Sequence, residues 1–383
     1  MSRTKISSAA FSDTKPHYEI LNGLRGVAAL MVILYHIFEG FATSPIDQRF
    51  NHGYLAVDFF FVLSGFVIGY AYDDRWRTGL KTKDFFKRRL IRLHPMIVLG
   101  IVCGVITFFI QGGKQWDGTP VSLSMVMLAM LLSLFLIPAA PGSGIEVRGN
   151  GEMFPLNGPI WTLFFEYIGN ILYALFIRRL STKALTVLVV LAGAGLASFA
   201  VLNYSGYGHL GVGWSMADYN LHGGFLRLLF SFSIGLLMSR NFKPIHIRGA
   251  FWICALTIVI LLSMPYMGDG SEPWKNGLYD ALCTIVVFPI LVYLSASGKI
   301  TDKRTSKLSR FLGDISYSLY VVHYPFMYLF YAWLWSNSLT FSQTWHVALL
   351  LFFGNILLAY LSLKFYDEPV RKYLTRRFLL KKE

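Results

Sequence analysis

Apolar residues are grouped into long blocks along this chain, and short polar stretches separate the blocks. About eleven apolar runs of roughly 15 to 22 residues follow one another, each close to the roughly 20 residues that a helix needs to cross a bilayer core. No run alternates residue by residue, as a membrane barrel strand does. The pattern predicts an all-α polytopic membrane protein.

Ten of these runs are predicted to be transmembrane helices. Their approximate bounds are 21–40, 53–72, 93–110, 161–177, 184–202, 223–238, 249–265, 277–297, 314–335 and 344–363. The eleventh run, from Val121 to Ile137, would place the basic C-terminus outside if it crossed fully, so we expect a re-entrant or interfacial segment. The expected organisation is a cytoplasmic N-terminal segment, a membrane domain and a basic cytoplasmic tail, at residues 1–20, 21–363 and 364–383.

Composition and charge agree with a membrane location. The 383-residue chain is 55% hydrophobic, which excludes a water-soluble globular domain, and its net charge is +14. Of the 35 Lys and Arg residues, 29 lie in alternate loops, as the positive-inside rule describes, so the charge does not indicate a nucleic-acid partner. We expect a multi-pass protein of the bacterial inner membrane, surrounded by membrane lipids, with both termini in the cytoplasm. The three cysteines lie in apolar runs, which favours packed thiols over a metal site.

Several ionisable side chains fall inside the predicted spans. Each costs roughly 2.5 to 3.5 kcal/mol on an insertion scale, so each requires a partner or a function. The set is Arg25, His36, Asp58, Glu166, Arg227, Asp280 and His323.

Arg25 and His36 lie on one face of the first span. They are eleven residues apart, so their azimuths differ by about 20° and their heights by about 16 Å. With the N-terminus inside, Arg25 is near the cytoplasmic surface and His36 is in the outer half. Arg25 alone is compatible with a snorkelling anchor and His36 alone with a satisfied core histidine, but the pair favours a function.

Two carboxylates are predicted at the depth of His36. Asp58 opens the second span and Glu166 lies one turn into the fourth. Either can orient an imidazole base by a hydrogen bond and stabilise the imidazolium that forms on proton transfer. The alternative is a structural ion pair with Arg227.

The segment KTKDFFKRRLIRLHP precedes the third span on the predicted cytoplasmic side. Arg89 and Arg92 are three residues apart and therefore neighbours on one helix face, and guanidinium groups suit phosphate oxygens. A basic segment beside a membrane can also be only a topology signal or an anionic-lipid contact.

Two further features have structural and functional interpretations. Gly65 and Gly69 form a small-xxx-small pair, which is typical of close helix packing. The predicted outside loops at 138–160 and 203–222 are rich in Gly and aromatic residues, and they either recognise an acceptor or only connect spans.

Six sequence blocks resemble the acyltransferase 3 family of membrane O-acyltransferases, which includes O-antigen, exopolysaccharide and Nod-factor acetylases and macrolide acylases. The blocks are Arg25 followed by ten residues and His36, then VDFFFVLSGFVIG, RRLIRLHP, GPIWTLFFEY, DISYSLYVVHYP and YDEPVRK, between about residues 19 and 370. The fourth-span block has Thr162 where the family more often has Ser, which keeps the hydroxyl. The chain ends soon after the last predicted span, so we expect a stand-alone form without a soluble C-terminal domain.

The resemblance implies transfer of an acyl group, usually acetyl, from cytoplasmic acyl-CoA to a hydroxyl of a glycan or glycoside on the outer side. It implies His36 as the essential residue and places Arg25, Arg89 and Arg92 near the coenzyme. With the orienting carboxylates, the predicted catalytic set is His36, Asp58 and Glu166. His323 and Arg227 are possible additional site residues, and no metal is required.

Two other functions compete with this interpretation. A secondary transporter or a lipid flippase would also place charges in the membrane, although the chain lacks the matching halves typical of such proteins. A scaffold in a polysaccharide assembly complex would consume no thioester.

Overall fold

The computed structural model describes residues 18–379 apart from residues 218 and 246. Most of the predicted N-terminal segment and the last four residues of the predicted tail lie outside the described residues. The described residues form fourteen α-helices, namely α1 Glu19–Glu39, α2 Ala56–Arg77, α3 Thr82–Ile110, α4 Leu123–Leu134, α5 Ile160–Leu175, α6 Thr182–Val201, α7 Asn220–Arg240, α8 Ala250–Ser263, α9 Pro273–Leu282, α10 Phe288–Ser297, α11 Lys303–Val322, α12 Tyr324–Ser336, α13 Phe341–Ser362 and α14 Glu368–Phe378.

The predicted all-α polytopic membrane class is confirmed. Eight helical segments among the described residues are long and apolar enough to cross a membrane, and each coincides with a predicted span. The other two predicted spans, 249–265 and 314–335, correspond to the 14-residue helix α8 and to the pair α11 and α12. The run from Val121 to Ile137 contains the 12-residue helix α4, which at about 1.5 Å per residue covers about 18 Å and is too short to cross.

Prolines explain the breaks in several helices. The predicted span 314–335 is interrupted between α11 and α12 at His323, two residues before Pro325. The π-helical turns Cys283–Val287 and Leu363–Asp367 are likewise each followed two residues later by a proline. Proline lacks an amide hydrogen and its ring displaces the carbonyl one turn earlier, so the backbone there cannot keep α-helical bonding.

Helices α2 and α7 form a close contact at the centre of the bundle. A Cβ atom on Gly65 of α2 would lie 2.0 Å from the Phe232 carbonyl oxygen of α7, and one on Gly235 of α7 would lie 2.1 Å from the Val62 carbonyl oxygen. Only glycine fits such backbone contacts, so the prediction of close packing at Gly65 is confirmed.

The two ends of the bundle differ in composition. Residues 135–159 and 202–217 meet where α1 stops and α2 starts, through hydrogen bonds such as Met153 N to Trp214 O (2.9 Å), and we call this the loop end. At the other end α1 begins beside α11, where Arg310 contacts Glu19 at 3.1 Å. This is the basic end, because α3, α11 and α14 all contribute Lys and Arg residues to it.

Candidate active site

A cavity of about 340 Å³ lies between α1, α12 and the loops of the loop end. Ten of its 21 lining residues are Trp or Tyr, and the remaining ionisable ones are His36, Glu39, Glu152 and Arg227. A mostly apolar cavity with a few converging polar groups is the usual form of a small-molecule site.

His36 pairs with Glu39 on the same helix. Its Nδ1 lies 2.7 Å from Glu39 Oε2, because residues three apart on an α-helix are neighbours. Tyr331 of α12 donates a hydrogen bond to the same carboxylate oxygen at 2.9 Å and contacts the His36 carbonyl at 2.6 Å. Since Nδ1 is engaged, Nε2 is the nitrogen available to a molecule in the cavity. The ring is 15% exposed, so it is held by packing but accessible.

Asp58 does not contact His36, contrary to expectation. Its carboxylate pairs with Arg227 of α7 at 2.7 and 3.0 Å, and both side chains are fully buried. Arg227 also donates to the carbonyls of Val212 (2.7 Å) and Tyr54 (2.8 Å). The alternative of a structural ion pair therefore describes the contacts of Asp58 and Arg227.

Glu166 does not contact His36 either. Its Oε1 accepts from Arg89 Nη2 at 2.5 Å and from the Ser64 hydroxyl at 2.7 Å. The depth of Glu166 along the fourth span did not predict its partners. Its position around the axis of α5 directs the side chain towards α3 and α2. Glu166 thus belongs with the cations of the basic end.

The predicted coenzyme arginines are gathered in one cluster. Arg25 donates to Ser316 of α11 at 2.8 Å, and the guanidinium of Arg92 lies 5.7 Å from the ring centroid of Tyr317 on the same helix. Arg25 interacts electrostatically with Arg89 and Arg371, and Arg92 does so with Arg25 and Arg371. We call Arg25, Arg89, Arg92 and Arg371 the arginine cluster.

Carboxylates offset only part of this positive charge. Glu166 pairs with Arg89 at 2.5 Å, and Asp367 pairs with Arg371 at 3.0 Å. Asp314 interacts electrostatically with Arg25. Arg25 has hydroxyl and carbonyl partners, and Arg92 faces an aromatic ring. Such a group of guanidinium side chains suits a multiply charged anion.

His323 lies beside His36 at the break between α11 and α12. The two ring centroids are 5.5 Å apart. His323 is fully buried, and its Nδ1 lies 2.8 Å from the Tyr320 carbonyl, so Nδ1 carries the hydrogen and Nε2 is an acceptor. No hydrogen-bond partner of Nε2 is found among the described residues. His323 is not among the lining residues of the cavity, and it contacts the site through His36.

Glu152 brings a second carboxyl group to the cavity from the loop before α5. It accepts a hydrogen bond from Tyr328 of α12, and it is 7% exposed. Burial raises its pKa from 4.5 to about 7, while the hydrogen bond from Tyr328 and the charge of Arg148 oppose the shift.

A family profile described as an acyltransferase domain matches residues 18–364. The chain belongs to the acyltransferase 3 family. It is thus an acyltransferase that transfers groups other than aminoacyl groups, and the predicted family is confirmed.

Curated relatives agree with this family. "Protein 2 in picA locus" of Rhizobium radiobacter is 33% identical over 193 residues, which are 48% of this chain and 95% of that protein. Acyltransferase MdmB of Streptomyces mycarofaciens is 25% identical over 355 residues, 86% of this chain and 83% of that protein. "Putative O-acetyltransferase SACOL0978" of Staphylococcus aureus (strain COL) is 24% identical over 375 residues, which are 92% of this chain but only 57% of that protein. No solved structure matches the chain.

Sequence reasoning missed three residues of this acyltransferase. Glu39 could have been found from the sequence, because it follows His36 by three residues, a spacing that places both on one helix face. Arg371 lies in the quoted block YDEPVRK, but nothing local connects it to Arg25. Glu152 had no signal beyond its place in a Gly-rich loop, since its partner Tyr328 is 176 residues away. Among the described residues no group of three or more His, Cys, Asp or Glu side chains forms a metal site.

Proposed function

We propose that the protein is a membrane O-acyltransferase that moves an acyl group from cytoplasmic acyl-CoA to a hydroxyl of a glycan or glycoside on the other side of the bacterial inner membrane. We propose acetyl as the acyl group, because the staphylococcal relatives are named as O-acetyltransferases. The donor occupies the basic end, and the acceptor occupies the cavity at the loop end.

One observation carries this proposal. Helix α1 holds the arginine cluster near its start through Arg25 and opens into the aromatic cavity near its end through the His36–Glu39 pair. The two sites are separated by about 16 Å along the helix axis. An anion site and a base at this separation suit a donor whose phosphates are remote from its thioester.

The proposed chemistry uses His36 Nε2 as a general base. It takes the proton of the acceptor hydroxyl while the hydroxyl oxygen attacks the thioester carbonyl carbon. The new C–O bond forms the ester, the C–S bond breaks, and the proton passes from the imidazolium to the departing thiolate. Glu39 holds the tautomer with hydrogen on Nδ1 and stabilises the imidazolium. In a two-step variant Nε2 itself carries the acyl group before the hydroxyl attacks.

The proposal includes an orientation, with the basic end and both termini in the cytoplasm. The positive-inside bias of the loops supports it. Reporter fusions at Gly142 and at Glu383 test it. We expect a periplasmic signal at Gly142 and a cytoplasmic one at Glu383, and the reverse at either site would contradict the orientation.

Purified protein in lipid nanodiscs provides the direct test of activity. We expect release of the CoA thiol to depend on an added glycoside, and we expect mass spectrometry to find that glycoside heavier by one acyl group. A transporter or flippase would move its substrate without releasing thiol. Absence of thiol release with acetyl-CoA across a panel of glycosides would contradict the proposal.

A further inference from the structure

The charge on the cavity wall constrains the acceptor. Of the ionisable lining residues, Arg227 is neutralised by Asp58, and its other hydrogen bonds go to backbone carbonyls. His36 is paired with Glu39, which is 36% exposed. Glu152 brings a second carboxyl group from a different element, and the two carboxylates interact electrostatically. The described lining residues thus include two carboxylates and no uncompensated cation.

The nearest further cation is behind this wall. The guanidinium of Arg148 stacks 3.4 Å from the ring centroid of Tyr328, and it donates to the Pro155 carbonyl and to Gln111. Arg148 is fully buried and is not among the lining residues. It contacts the wall through the Tyr328 ring, and from there its charge partly offsets that of Glu152.

Trp and Tyr make up ten of the 21 lining residues. Tyr331 and Trp335 stack with ring centroids 5.2 Å apart, and Trp161 and Trp214 contribute from α5 and from the 202–217 loop. Aromatic faces attract cations and pack against the C–H faces of sugar rings. The cavity of about 340 Å³ is large enough to admit a sugar ring.

We infer that the acceptor presents a neutral or amine-bearing sugar ring to this cavity, and that Glu39, together with Glu152 in its ionised form, excludes rings that carry a carboxylate or a phosphate. The pKa of Glu152 is about 7, so its carboxyl group is ionised above that pH. An acidic ring would bring a like charge against both carboxylates and would find no cation to pair with. This inference rests on the proposed function, because it names the acceptor class of that site.

Methyl glucoside, methyl glucosaminide and methyl glucuronide are the probes, because they share a ring and differ in charge. Binding to the full chain in nanodiscs is measured calorimetrically without donor, and acyl transfer is measured separately with acetyl-CoA. We expect the glucuronide to bind at least about tenfold more weakly than the glucoside, since its carboxylate meets like charges on the cavity wall. Equal binding of the glucuronide, or binding of none of the three, would overturn the inference.

Glu152→Gln, measured at pH 8 where Glu152 is ionised, tests the assigned residue, because it removes the charge and keeps the size. We expect the ratio of glucuronide to glucoside affinity to rise by about tenfold or more. Glu146→Gln is the matched control, since Glu146 is a buried carboxylate of the same loop that bonds Asn150 N at 2.9 Å and does not line the cavity. An unchanged ratio in Glu152→Gln, or an equal change in Glu146→Gln, would overturn the role of Glu152.

The two measurements separate this inference from the proposed function. If the binding order holds but no acyl group is transferred, the acyltransferase proposal for this site fails and the charge selection stands. If transfer occurs with equal efficiency to all three glycosides, the proposed function stands and the charge selection fails.

Discussion

The two ends of α1 present opposite chemistry. At the basic end four arginines face three carboxylates, those of Glu166, Asp314 and Asp367, and a tyrosine ring. At the loop end the cavity wall carries the carboxyl groups of Glu39 and Glu152, and ten of its 21 residues are Trp or Tyr. A protein that only anchored this helix would not need unlike sites at its two ends, each with charges in excess. In the proposed function, an anionic donor binds at the basic end and an acceptor binds at the loop end beside His36.

The largest expected effect is at His36. General-base catalysis contributes roughly 10² to 10⁴-fold, so His36→Ala should lose turnover on that scale while donor affinity persists. Turnover and CoA binding are measured on the same nanodisc preparation. His346→Ala, an exposed histidine of α13, is the control and should behave as wild type. Near-wild-type turnover in His36→Ala would show that His36 is not the general base.

The next largest expected effect is a loss of stability on substitution of Asp58, which tests whether Asp58 has a structural or a catalytic role. Removing one member of a buried ion pair costs roughly 3 to 5 kcal/mol, so Asp58→Ala should lower the melting temperature strongly by leaving Arg227 unpaired. The measurement is thermal unfolding in detergent. Normal stability together with lost turnover would return Asp58 to the catalytic set.

Glu39 is expected to act as a positioning residue. Groups that orient a functional histidine typically contribute about 10 to 100-fold, so Glu39→Gln should lower kcat by this factor with little change in the donor KM. Glu39→Asp should recover part of the loss, because it restores the charge. A change confined to KM, or no recovery with Asp, would contradict this role.

At the basic end the effect should appear in donor binding. A charged hydrogen bond contributes about 1.5 to 3 kcal/mol, so Arg89→Ala should raise the KM for acetyl-CoA about tenfold or more and leave acceptor KM unchanged. Lys83→Ala, an exposed residue of the same helix, is the control. Because Arg89 also pairs with Glu166, Glu166→Gln shows what loss of that pair alone does. Equal changes in donor and acceptor KM would mean that the two ends are not separate sites.

The last effect is a pH dependence of stability at Glu152. Its pKa in the folded protein is raised from 4.5 to about 7, so the folded state holds the proton more tightly and stability falls as pH rises across that interval. The full penalty above pH 7 is at most about 3 kcal/mol. Glu152→Gln cannot ionise, so it should melt above wild type at pH 8 and close to it at pH 4.5. An equal difference at both pH values would argue against a buried acid here.

Local patterns in the sequence predicted much of this molecule. The lengths of the apolar runs, compared with the thickness of a bilayer, predicted the helices. Helical periodicity placed Arg25 and His36 on one face and Arg89 beside Arg92, because neighbours within one helix depend only on its pitch. The break at His323 was not predicted, although Pro325 was visible, because membrane helices often tolerate proline.

Partners across helices could not be predicted. The Asp58–Arg227 pair joins residues 169 positions apart, and Arg89 and Glu166 are 77 apart, so their contacts depend on the azimuth and tilt of whole helices. The sequence by itself determined that polar groups lie in the membrane and on which face of their own helix. The tertiary structure decided which charged groups pair with each other and which carboxyl groups, Glu39 and Glu152, lie at the cavity. The reason is that the ionisation and stability of a buried group depend on the partners that packing brings within a few ångströms.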